Sequence, residues 1–365
     1  MLIAVEPLDR LVRAIFREKG CPEDEAARIA RYLIKANLTG HDSHGVIRVP
    51  LYVTWIEAGR MRPGQHVRVL VDTPVLAVLD GQFGMGQTVG PEATRIGIAK
   101  AREQGVGIIA LRDAGHLGRI GDFAEMAIEA GLVSIHFVNV FGSLLVAPFG
   151  AASRRLSTNP VAIGVPTGDD APFVLDFATS YVAEGKVAVA HQGGKPIPDT
   201  ALVDEAGNLS GDPRTLYGED AGQAYPDPTR GKGALRPFGE HKGSGLALAC
   251  ELLAGALTGS GVNAGRPGPF HNGMLSIFLD PARFDTGDRF LAEVRAFIAW
   301  VKSAKPVDPV EGVLIPGDKE RRTEAERRAG GIPLAADSWR LILDTARKVG
   351  LSDGAIAELL EEEGP

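Results

Sequence analysis

Apolar runs that alternate with amphipathic helical segments constrain the fold of this chain more than any other feature. Four of these runs are rich in Val, Leu and Ile and predict strands, and two segments between them show helical spacing. The predicted strands are 67–71, 75–79, 106–111 and 132–138, and the predicted helices are 88–103 and 121–130. This alternation is typical of an α/β domain, so we predict the α/β fold class.

Helical patterns flank this region on both sides. Leu8 and Leu11 share one face of a first helix, and a second helix is predicted to begin at Pro22. Segments 323–328 and 337–349 predict charged helices towards the end of the sequence. A chain of 365 residues exceeds the size of one ordinary core, so we expect two or three domains.

Composition argues against several classes of protein. The chain has 39 Lys and Arg against 46 Asp and Glu, a formal net charge of -7, which disfavours a nucleic-acid binder or a polybasic membrane-surface protein. Its apolar runs are shorter than a membrane span, and residues 1–10 lack the pattern of a signal peptide. Cys21 and Cys250 are too few for a zinc site or a disulfide framework. We therefore expect a cytoplasmic protein without a metal site.

One short segment combines two residue types that suit a reaction at a carbonyl beside a carboxylate. Arg48 can grip a carboxylate through two charge-assisted hydrogen bonds, and His44 can exchange a proton near neutral pH. If Asp42 or Ser43 caps a helix, His44 and Arg48 lie four apart on one face. Pro50 would instead mark a later helix start. A cap made of surface polar residues is the alternative interpretation.

Two glycine-rich segments follow predicted strands. The first, 115–121, follows a strand, at the position where α/β proteins carry their active sites. His116 is therefore a second acid/base candidate, and Arg119 is a second anion contact. A surface turn is the alternative interpretation. The second, Gly-Met-Gly-Gln-Thr-Val-Gly at 84–90, resembles a Rossmann dinucleotide fingerprint. Its last glycine comes one position late, so this pattern is a weak indication.

Two further segments indicate a nucleotide cofactor. Residues 238–245 open a helix whose free amide groups favour a phosphate, and Lys242 adds a positive charge. Asp176, directly after the predicted strand 173–175, can bind a ribose diol or cap a helix. Lys242 also leaves open a pyridoxal-phosphate enzyme with a Schiff base at this lysine, or a non-catalytic binding protein that uses the same pocket.

Taken together, these segments resemble the malate/L-lactate dehydrogenase family of the second type. That family also includes ureidoglycolate dehydrogenase, 2,3-diketogulonate reductase, sulfolactate dehydrogenase and the reductases of cyclic imino acids. The resemblance follows the family's order along nearly the whole chain. It is carried by 36–50 (ANLTGHDSHGVIRVP), 115–116 (GH), 158–160 (TNP), 175–180 (LDFATS), 237–246 (PFGEHKGSGL), 272–273 (NG) and 316–318 (PGD).

The resemblance implies an NAD- or NADP-dependent oxidoreductase whose cofactor fold differs from the Rossmann fold, so the pattern at 84–90 should not bind a dinucleotide. It implies a central α/β cofactor-binding domain, 76–284, and a mostly helical substrate and dimerisation domain formed by 1–75 and 285–365. The reaction would move a hydride between nicotinamide and C2 of a small 2-keto or 2-hydroxy acid, malate-like or lactate-like. A cyclic imino acid is the alternative substrate. A homodimer is also implied.

By matching position, the resemblance assigns roles to individual residues. The catalytic acid/base would be His44, beside Ser43, or else His116, and Arg48 would hold the substrate carboxylate. Substrate-binding positions are Arg48, Thr158 and Asn159, and cofactor-binding positions are Asp176, Phe177, Ala178, Thr179, His241, Lys242, Gly317 and Asp318. We favour NAD over NADP, because Asp318 would repel a 2′-phosphate if it faces the ribose.

Overall fold

The structure, a computed structural model, describes residues 1–191, 196–219, 227–228, 230–265, 268–284 and 289–361. Its helices are α1 (Val5–Glu18), α2 (Glu23–Leu38), α3 (Val49–Glu57), α4 (Gly86–Gln104), α5 (Gly121–Glu129), α6 (Glu184–His191), α7 (Arg214–Tyr217), α8 (His241–Cys250, continued by a π-helical turn at Glu251–Ala256), α9 (Arg289–Lys302), α10 (Asp318–Gly330), α11 (Ala336–Lys348) and α12 (Asp353–Leu360). In these ranges no helix is long and apolar enough to cross a membrane.

The strands are β1 (Leu2–Ile3), β2 (Arg68–Asp72), β3 (Leu76–Asp80), β4 (Val106–Ala114), β5 (Val133–Phe141), β6 (Val161–Val165), β7 (Phe173–Phe177), β8 (Leu202–Val203), β9 (Leu209–Ser210), β10 (Ala234–Leu235), β11 (His271–Leu279) and β12 (Ile332–Pro333). Seven of them form one sheet in the order β2-β3-β4-β11-β5-β6-β7. β3 and β4 run parallel, and every other neighbouring pair in this sheet runs antiparallel. The α/β fold class is confirmed, and the sheet differs from the mostly parallel sheet of a Rossmann fold.

The central position of β11 is the main feature of the sheet that the sequence pattern does not predict. β11 pairs with both β4 and β5 along its length. Near its start, the side-chain oxygen of Asn272 accepts a hydrogen bond from the backbone N–H of Leu117, 3.0 Å away, and its amide nitrogen donates to the carbonyl oxygen of Asn139, 3.0 Å away. β11 therefore anchors the loop that leaves β4 and carries His116.

The helices at the two ends of the chain share a separate apolar core. Leu11 of α1, Ile29 of α2, Val53 of α3, Ile342 of α11 and Ile356 of α12 all belong to it. β1 pairs antiparallel with β12, which joins the beginning of the chain to its last quarter. The sheet has its own core, formed with α4 and α5. The domain boundaries at 75 and 285 stay predictions, and β2, before the first of them, pairs within the sheet.

The prediction that Asp42 or Ser43 caps a helix carrying both His44 and Arg48 is wrong. Residues 42–44 and 46–48 form two separate 3₁₀ turns, and α3 begins only at Val49 with Pro50 in its first turn. The side-chain oxygen of Asn37 accepts from the N–H of Val46, 2.8 Å away, and a Cβ at Gly45 would lie 2.1 Å from that oxygen. The Asn37 side chain therefore occupies the space beside Gly45, and the turn bends around it.

Candidate active site

Two histidines from distant parts of the chain stack face to face. His44 lies in the turn after α2 and His116 in the loop after β4; their ring centroids are 5.3 Å apart and the rings are 14° from parallel. A Cβ at Gly86 would lie 2.0 Å from the carbonyl oxygen of His116, and a Cβ at Gly115 would lie 2.4 Å from that of Gly84. The glycines at 84–90 thus let the His116 loop approach α4, which explains this pattern without a bound dinucleotide.

Tyr52 and Gln87 form a chain of hydrogen bonds with His116. The amide nitrogen of Gln87 donates to the carbonyl oxygen of His116, 3.4 Å away, and to the hydroxyl oxygen of Tyr52, 3.1 Å away. Because a carbonyl oxygen only accepts, the amide must present its nitrogen and not its oxygen to these groups. The hydroxyl oxygen of Tyr52 lies 2.5 Å from Nδ1 of His116. If the hydroxyl donates in this contact, a neutral His116 carries its own proton on Nε2.

Burial keeps both imidazoles uncharged. It lowers the pKa of His44 to about 3, with smaller effects in the same direction from Arg48, His41 and Arg119. Burial also lowers the pKa of His116 well below its usual range, and Arg48 and His44 lower it further. Nδ1 of His44 is shielded from solvent and has no hydrogen-bond partner among the described residues. At neutral pH both histidines can therefore exchange hydrogen bonds with a ligand without adding charge.

Arg48 lies beside these histidines, and its contacts include Ser43 and Glu184. Its Nε donates to the carbonyl oxygen of Ser43, 2.6 Å away, and its Nη2 lies 3.8 Å from Oε2 of Glu184, the first residue of α6. The exposed fraction of the side chain is 14% for Arg48 and 11% for Glu184. A Cβ at Gly185 would lie 2.4 Å from the Cβ of Ser43, so α6 begins directly against Ser43. The structure thus brings together all four residues predicted to be catalytic.

Arg119 is also close to the histidines, but carboxylates surround it. Its Nη1 lies 2.7 Å from Asp122 and its Nη2 lies 2.8 Å from Glu125, and 1% of its side chain is exposed. Burial raises the pKa of Asp122 to about 6. Since both terminal nitrogens are paired inside the protein, Arg119 does not offer the second anion contact that its position in the sequence suggests.

The turn that carries His44 is clamped by α2 and α10. The carboxylate of Asp42 accepts hydrogen bonds from Nδ2 of Asn37, 2.6 Å away, and from both terminal nitrogens of Arg327, 2.6 and 3.0 Å away. Next to it, Nε2 of His41 lies 3.5 Å from Glu320, and this contact lowers the pKa of Glu320 to about 2. Asp42 therefore shapes the turn through a charged partner in α10.

Three residues expected to bind substrate or cofactor form one hydrogen-bonded unit. The Thr179 hydroxyl donates to the carbonyl oxygens of Thr158 and Asn159, both 3.1 Å away. The amide nitrogen of Asn159 donates to the carbonyl oxygen of Ala247, 3.1 Å away, and to Glu251, 3.0 Å away. The Asn159 side chain is fully buried, and its amide is hydrogen-bonded inside the protein. The structure therefore does not bring Asn159 to an open surface, whereas Thr158 is only half-buried.

The other residues expected to bind cofactor lie around β7. The backbone N–H of Gly121 donates to Asp176, 2.7 Å away, so this carboxylate caps α5. The Phe177 ring packs edge-on against Phe238, with centroids 5.4 Å apart, and half-buried Ala178 follows. Through Phe238 this strand end adjoins the start of α8, where His241 and Lys242 are exposed.

Gly317 and Asp318 lie beside the start of β7. The N–H of Val174 donates to the carbonyl oxygen of Pro316, 3.3 Å away. Asp318 begins α10, and its carboxylate lies 2.8 Å from Nζ of Lys302 and 2.6 Å from Nη2 of Arg321. The negative charge of Asp318 is therefore already compensated by two cations.

This set of groups fits a dinucleotide. The exposed N-terminus of α8 offers the positive end of the helix dipole and the ammonium of Lys242, which suit a pyrophosphate. The free amides expected there are not found, because the N–H groups of Lys242, Gly243 and Ser244 already donate to backbone carbonyl oxygens. The half-buried end of β7 adjoins it and offers a carboxylate, Asp176, of the kind that binds a ribose diol. The uncharged histidine pair adds buried imidazole nitrogens, including the unpartnered Nδ1 of His44.

Sequence reasoning missed three residues of this site: Tyr52, Gln87 and Glu184. Tyr52 lies one helical turn after Arg48, and Gln87 directly follows the glycine pattern, so local signals existed for both. Glu184 has no local signal, because its importance comes from the packing of α6 against Ser43.

Comparison with known proteins establishes the family. A family model described as malate/L-lactate dehydrogenase matches residues 3–343. The chain belongs to the malate/L-lactate dehydrogenase family. It is 38% identical to hydroxycarboxylate dehydrogenase B of Escherichia coli O157:H7, over 98% of this chain and 97% of that protein. It is 35% identical to an L-lactate dehydrogenase of Cupriavidus necator, over 89% and 92%.

Solved structures agree with this assignment. Sulfolactate dehydrogenase from Methanocaldococcus jannaschii superposes with a TM-score of 0.85 at 30% identity, covering 99% of this chain and 100% of that one. Δ1-piperideine-2-carboxylate reductase from Pseudomonas syringae superposes with a TM-score of 0.78 at 29% identity, covering 94% and 99%. The family prediction is confirmed, and this family member is an oxidoreductase.

Proposed function

We propose that this family member transfers a hydride between NAD and C2 of a small 2-keto or 2-hydroxy acid. The observation that carries the proposal is the Arg48 guanidinium held beside two stacked histidines that burial keeps uncharged. A cation next to uncharged imidazoles suits a carboxylate with a carbonyl on the adjacent carbon. When bound, the nicotinamide supplies or accepts the hydride.

Arg48 binds and orients the substrate carboxylate in this proposal. Its Nε is held by the Ser43 carbonyl, which fixes the plane of the guanidinium. A fixed guanidinium holds the substrate in one orientation, and such positioning can lower a barrier by several kcal/mol, on the order of 7–11 in favourable cases. Ser43 therefore acts through its main chain as a positioning residue for Arg48.

His116 is proposed as the proton donor during reduction. Its Nε2–H gives a proton to the developing alkoxide while Nδ1 takes the proton of the Tyr52 hydroxyl, and the Tyr52 phenolate left by this step regains a proton from water once the product leaves. Burial raises the pKa of Tyr52 to about 12, so the hydroxyl keeps its proton at neutral pH until the alkoxide, a stronger base, forms. In oxidation the protons move in the opposite direction along the same path. His44, with its unpartnered Nδ1, stays the alternative acid/base.

The cofactor is proposed to lie along the end of β7, the start of α8 and Gly317. In this arrangement Lys242 and His241 bind phosphate oxygens, Asp176 binds a ribose, and residues 177–179 line the strand end. NAD stays the predicted form. That prediction assumes that Asp318 repels a 2′-phosphate. The pairing of Asp318 with Lys302 and Arg321 reduces this repulsion.

A cyclic imino acid is the second candidate substrate. It carries the same carboxylate next to its reducible double bond, and the likeness to the Pseudomonas syringae reductase favours it.

We also propose that the protein is a homodimer and that it is cytoplasmic. The buried free thiols of Cys21 and Cys250 suit a cytoplasmic location.

Nicotinamide absorbance against time tests the proposed reaction. The protein is mixed with NADH or NADPH and with pyruvate, oxaloacetate, a bulky keto acid or Δ1-piperideine-2-carboxylate. We expect substrate-dependent oxidation with a keto acid, faster with NADH. Turnover of the imino acid alone would favour the second candidate, and a flat trace with every pair from folded protein would refute the proposal for these substrates.

A further inference from the structure

Glu251 is a buried carboxylate at the start of the π-helical turn that continues α8. Its Oε1 accepts hydrogen bonds from the side-chain amides of Asn159, 3.0 Å away, and Asn263, 3.2 Å away. Its Oε2 accepts from the backbone N–H of Asn263, 3.2 Å away. In the described part of the chain, all the donors that meet this carboxylate are neutral. Burial of a carboxylate without a cation is costly, so these hydrogen bonds must offset that cost.

Backbone groups fix the orientation of both asparagine amides. The Oδ1 of Asn159 accepts from the N–H of Val140, 3.1 Å away, and the Oδ1 of Asn263 accepts from the N–H of Gly142, 3.0 Å away. Both amides therefore turn their nitrogen towards Glu251, and only an acceptor can meet them. A glutamine in place of Glu251 has one oxygen and one NH₂ group, so it would leave at least one of the donors facing another donor.

Asn159 connects Glu251 to the end of β7. Asn159 has a φ of +24°, which a residue other than glycine keeps only where its surroundings hold it. Its carbonyl oxygen accepts from the Thr179 hydroxyl, 3.1 Å away, and that of Thr158 accepts from the N–H of Thr179, 2.8 Å away. The carbonyl oxygen of Thr179 accepts in turn from the N–H of Phe238, 3.0 Å away. A continuous path of hydrogen bonds therefore leads from Glu251 to the end of β7 and the segment before α8.

This path joins the two ends of one helix. The amide nitrogen of Asn159 also donates to the carbonyl oxygen of Ala247, 3.1 Å away, one helical turn before Glu251. Phe238 lies at the other end, three residues before α8 begins at His241. The strand end is therefore held against both the beginning and the end of α8. Such a closed arrangement resists small displacements, and a displacement of about 1 Å in a binding site can cost about 10²-fold in rate.

We propose, on the basis of the proposed function, that Glu251 is a positioning residue for the dinucleotide. It acts through Asn159 and Thr179, which hold the end of β7 against the start of α8, where the cofactor is proposed to lie. Without the carboxylate, Asn159 loses a contact that holds its conformation, and the strand end can move away from the helix start. Affinity for the dinucleotide then falls more than affinity for the keto acid.

The test measures the dissociation constants of NADH and NADPH by fluorescence titration of the wild type, Glu251→Gln and Glu25→Gln. Glu25 is the matched control, because it is also a buried carboxylate and accepts from the N–H of Gly64, 2.7 Å away, and the hydroxyl of Thr88, 2.9 Å away. We expect the dissociation constant of the tighter-binding dinucleotide to rise about tenfold in Glu251→Gln and less than about twofold in Glu25→Gln. The KM for pyruvate at saturating dinucleotide should change less than about threefold in both.

Asn159→Ser breaks the same path from its other side. It removes the amide that meets Glu251, so the dissociation constant of the dinucleotide should again rise about tenfold. In the double variant with Glu251→Gln, the further rise should be less than about twofold, because the two residues act along one path. Circular dichroism checks that each protein is folded, and Asn159→Ser alone decides on the path if Glu251→Gln does not fold.

The outcomes separate this proposal from the proposed reaction. A wild-type dissociation constant in Glu251→Gln or Asn159→Ser, an equal rise in Glu25→Gln, or additive effects in the double variant overturns the role of Glu251. A wild type that binds a dinucleotide but turns over neither keto acids nor the imino acid contradicts the proposed reaction, while the dissociation constants still decide on Glu251. A folded wild type that binds neither dinucleotide overturns both.

Discussion

Arg48 and Arg119 both lower the pKa of His44, yet their surroundings differ. Arg119 is almost fully buried and touches one carboxylate at 2.7 Å and another at 2.8 Å. Arg48 is more exposed, and its Nη2 lies 3.8 Å from the carboxylate of Glu184. The charge of Arg119 is therefore paired inside the fold, whereas Arg48 is the arginine proposed to bind the substrate carboxylate. Distance from the histidines alone does not distinguish these two roles.

Replacement of Arg119 gives the largest expected effect. Arg119→Met leaves Asp122 and Glu125 without their buried partner, so the free energy of unfolding should fall by about 3–5 kcal/mol. Urea unfolding measures this loss. Because the pKa of Asp122 is raised to about 6 in the folded protein, the carboxyl contributes stability below its unfolded pKa and loses it as the pH rises through about 6. The variant should therefore be less destabilised in acid than at neutral pH.

A matched surface variant is the control for Arg119. Arg340→Met removes an exposed ion pair with Asp337 and should change the free energy of unfolding by less than about 1 kcal/mol. Equal losses in the two variants would break the comparison, because Arg119 would then be no more important to the fold than a surface arginine.

Arg48 should show the opposite behaviour, with a large effect on substrate and a small one on folding. Arg48→Ala is expected to lower kcat/KM for the keto acid by about 10²–10³-fold, since it removes two charge-assisted hydrogen bonds to the carboxylate. Affinity for NADH, measured by fluorescence titration, should change by less than about threefold. If substrate and cofactor were weakened equally, Arg48 would not be the carboxylate ligand.

The hydroxyl of Tyr52 is expected to have the next largest effect. Tyr52→Phe removes the proton donated to Nδ1 of His116 and should lower kcat by about 10²-fold with little change in KM. Gln87→Met keeps the Tyr52 hydroxyl but removes the hydrogen bond that orients it, so we expect kcat to fall by about tenfold. Steady-state rates for the two variants test this order, and an unchanged kcat in Tyr52→Phe would transfer the proton-donor role to His44.

The pH profile of the wild-type protein tests whether the two histidines are uncharged, and the expected change in kcat/KM is small. Because burial holds the pKa of both histidines far below 6.5, kcat/KM for reduction should vary by less than about twofold between about pH 6 and 8. A loss of activity with a midpoint near the ordinary histidine pKa would contradict the neutral histidine pair.

A small effect is also expected for the cofactor. Asp318→Asn removes one charge from a group that Lys302 and Arg321 compensate, so KM for NADPH should fall by only about threefold and KM for NADH should stay constant. Initial rates with both cofactors measure this. A change of NADPH affinity by orders of magnitude would mean that Asp318 faces the ribose directly.

Local patterns in the sequence predicted much of the fold and of the candidate site. The strands and helices between 67 and 138 follow from periodicity, and the cluster of Ser43, His44, Arg48 and His116 follows from the chemistry of the residue types and the family resemblance. The predicted helix start at Asp42 or Ser43 was wrong because the N–H of Val46 donates to the side chain of Asn37 and not to a helical carbonyl oxygen. Asn37 lies nine residues before Val46 along the chain.

The features that could not be predicted depend on contacts between distant segments. β11 has an apolar run like that of other strands, but its position between β4 and β5 depends on pairing with strands 130 or more residues away. Glu184 is one of 46 acidic residues in the sequence, and only the packing of α6 on Ser43 sets it beside Arg48. The carboxylates around Arg119 lie three and six residues after it, so this difference from Arg48 could have been read locally.

The clamp between Asp42 and Arg327 sets an order of events during protein synthesis. The two residues are 285 positions apart, so His44 leaves the ribosome long before the cation that shapes its turn. A growing chain that has not yet reached α10 contains every residue proposed for proton transfer but lacks this constraint. The proposed site is therefore completed late, and a shortened chain ending before α10 would keep the chemical groups without the geometry that orders them.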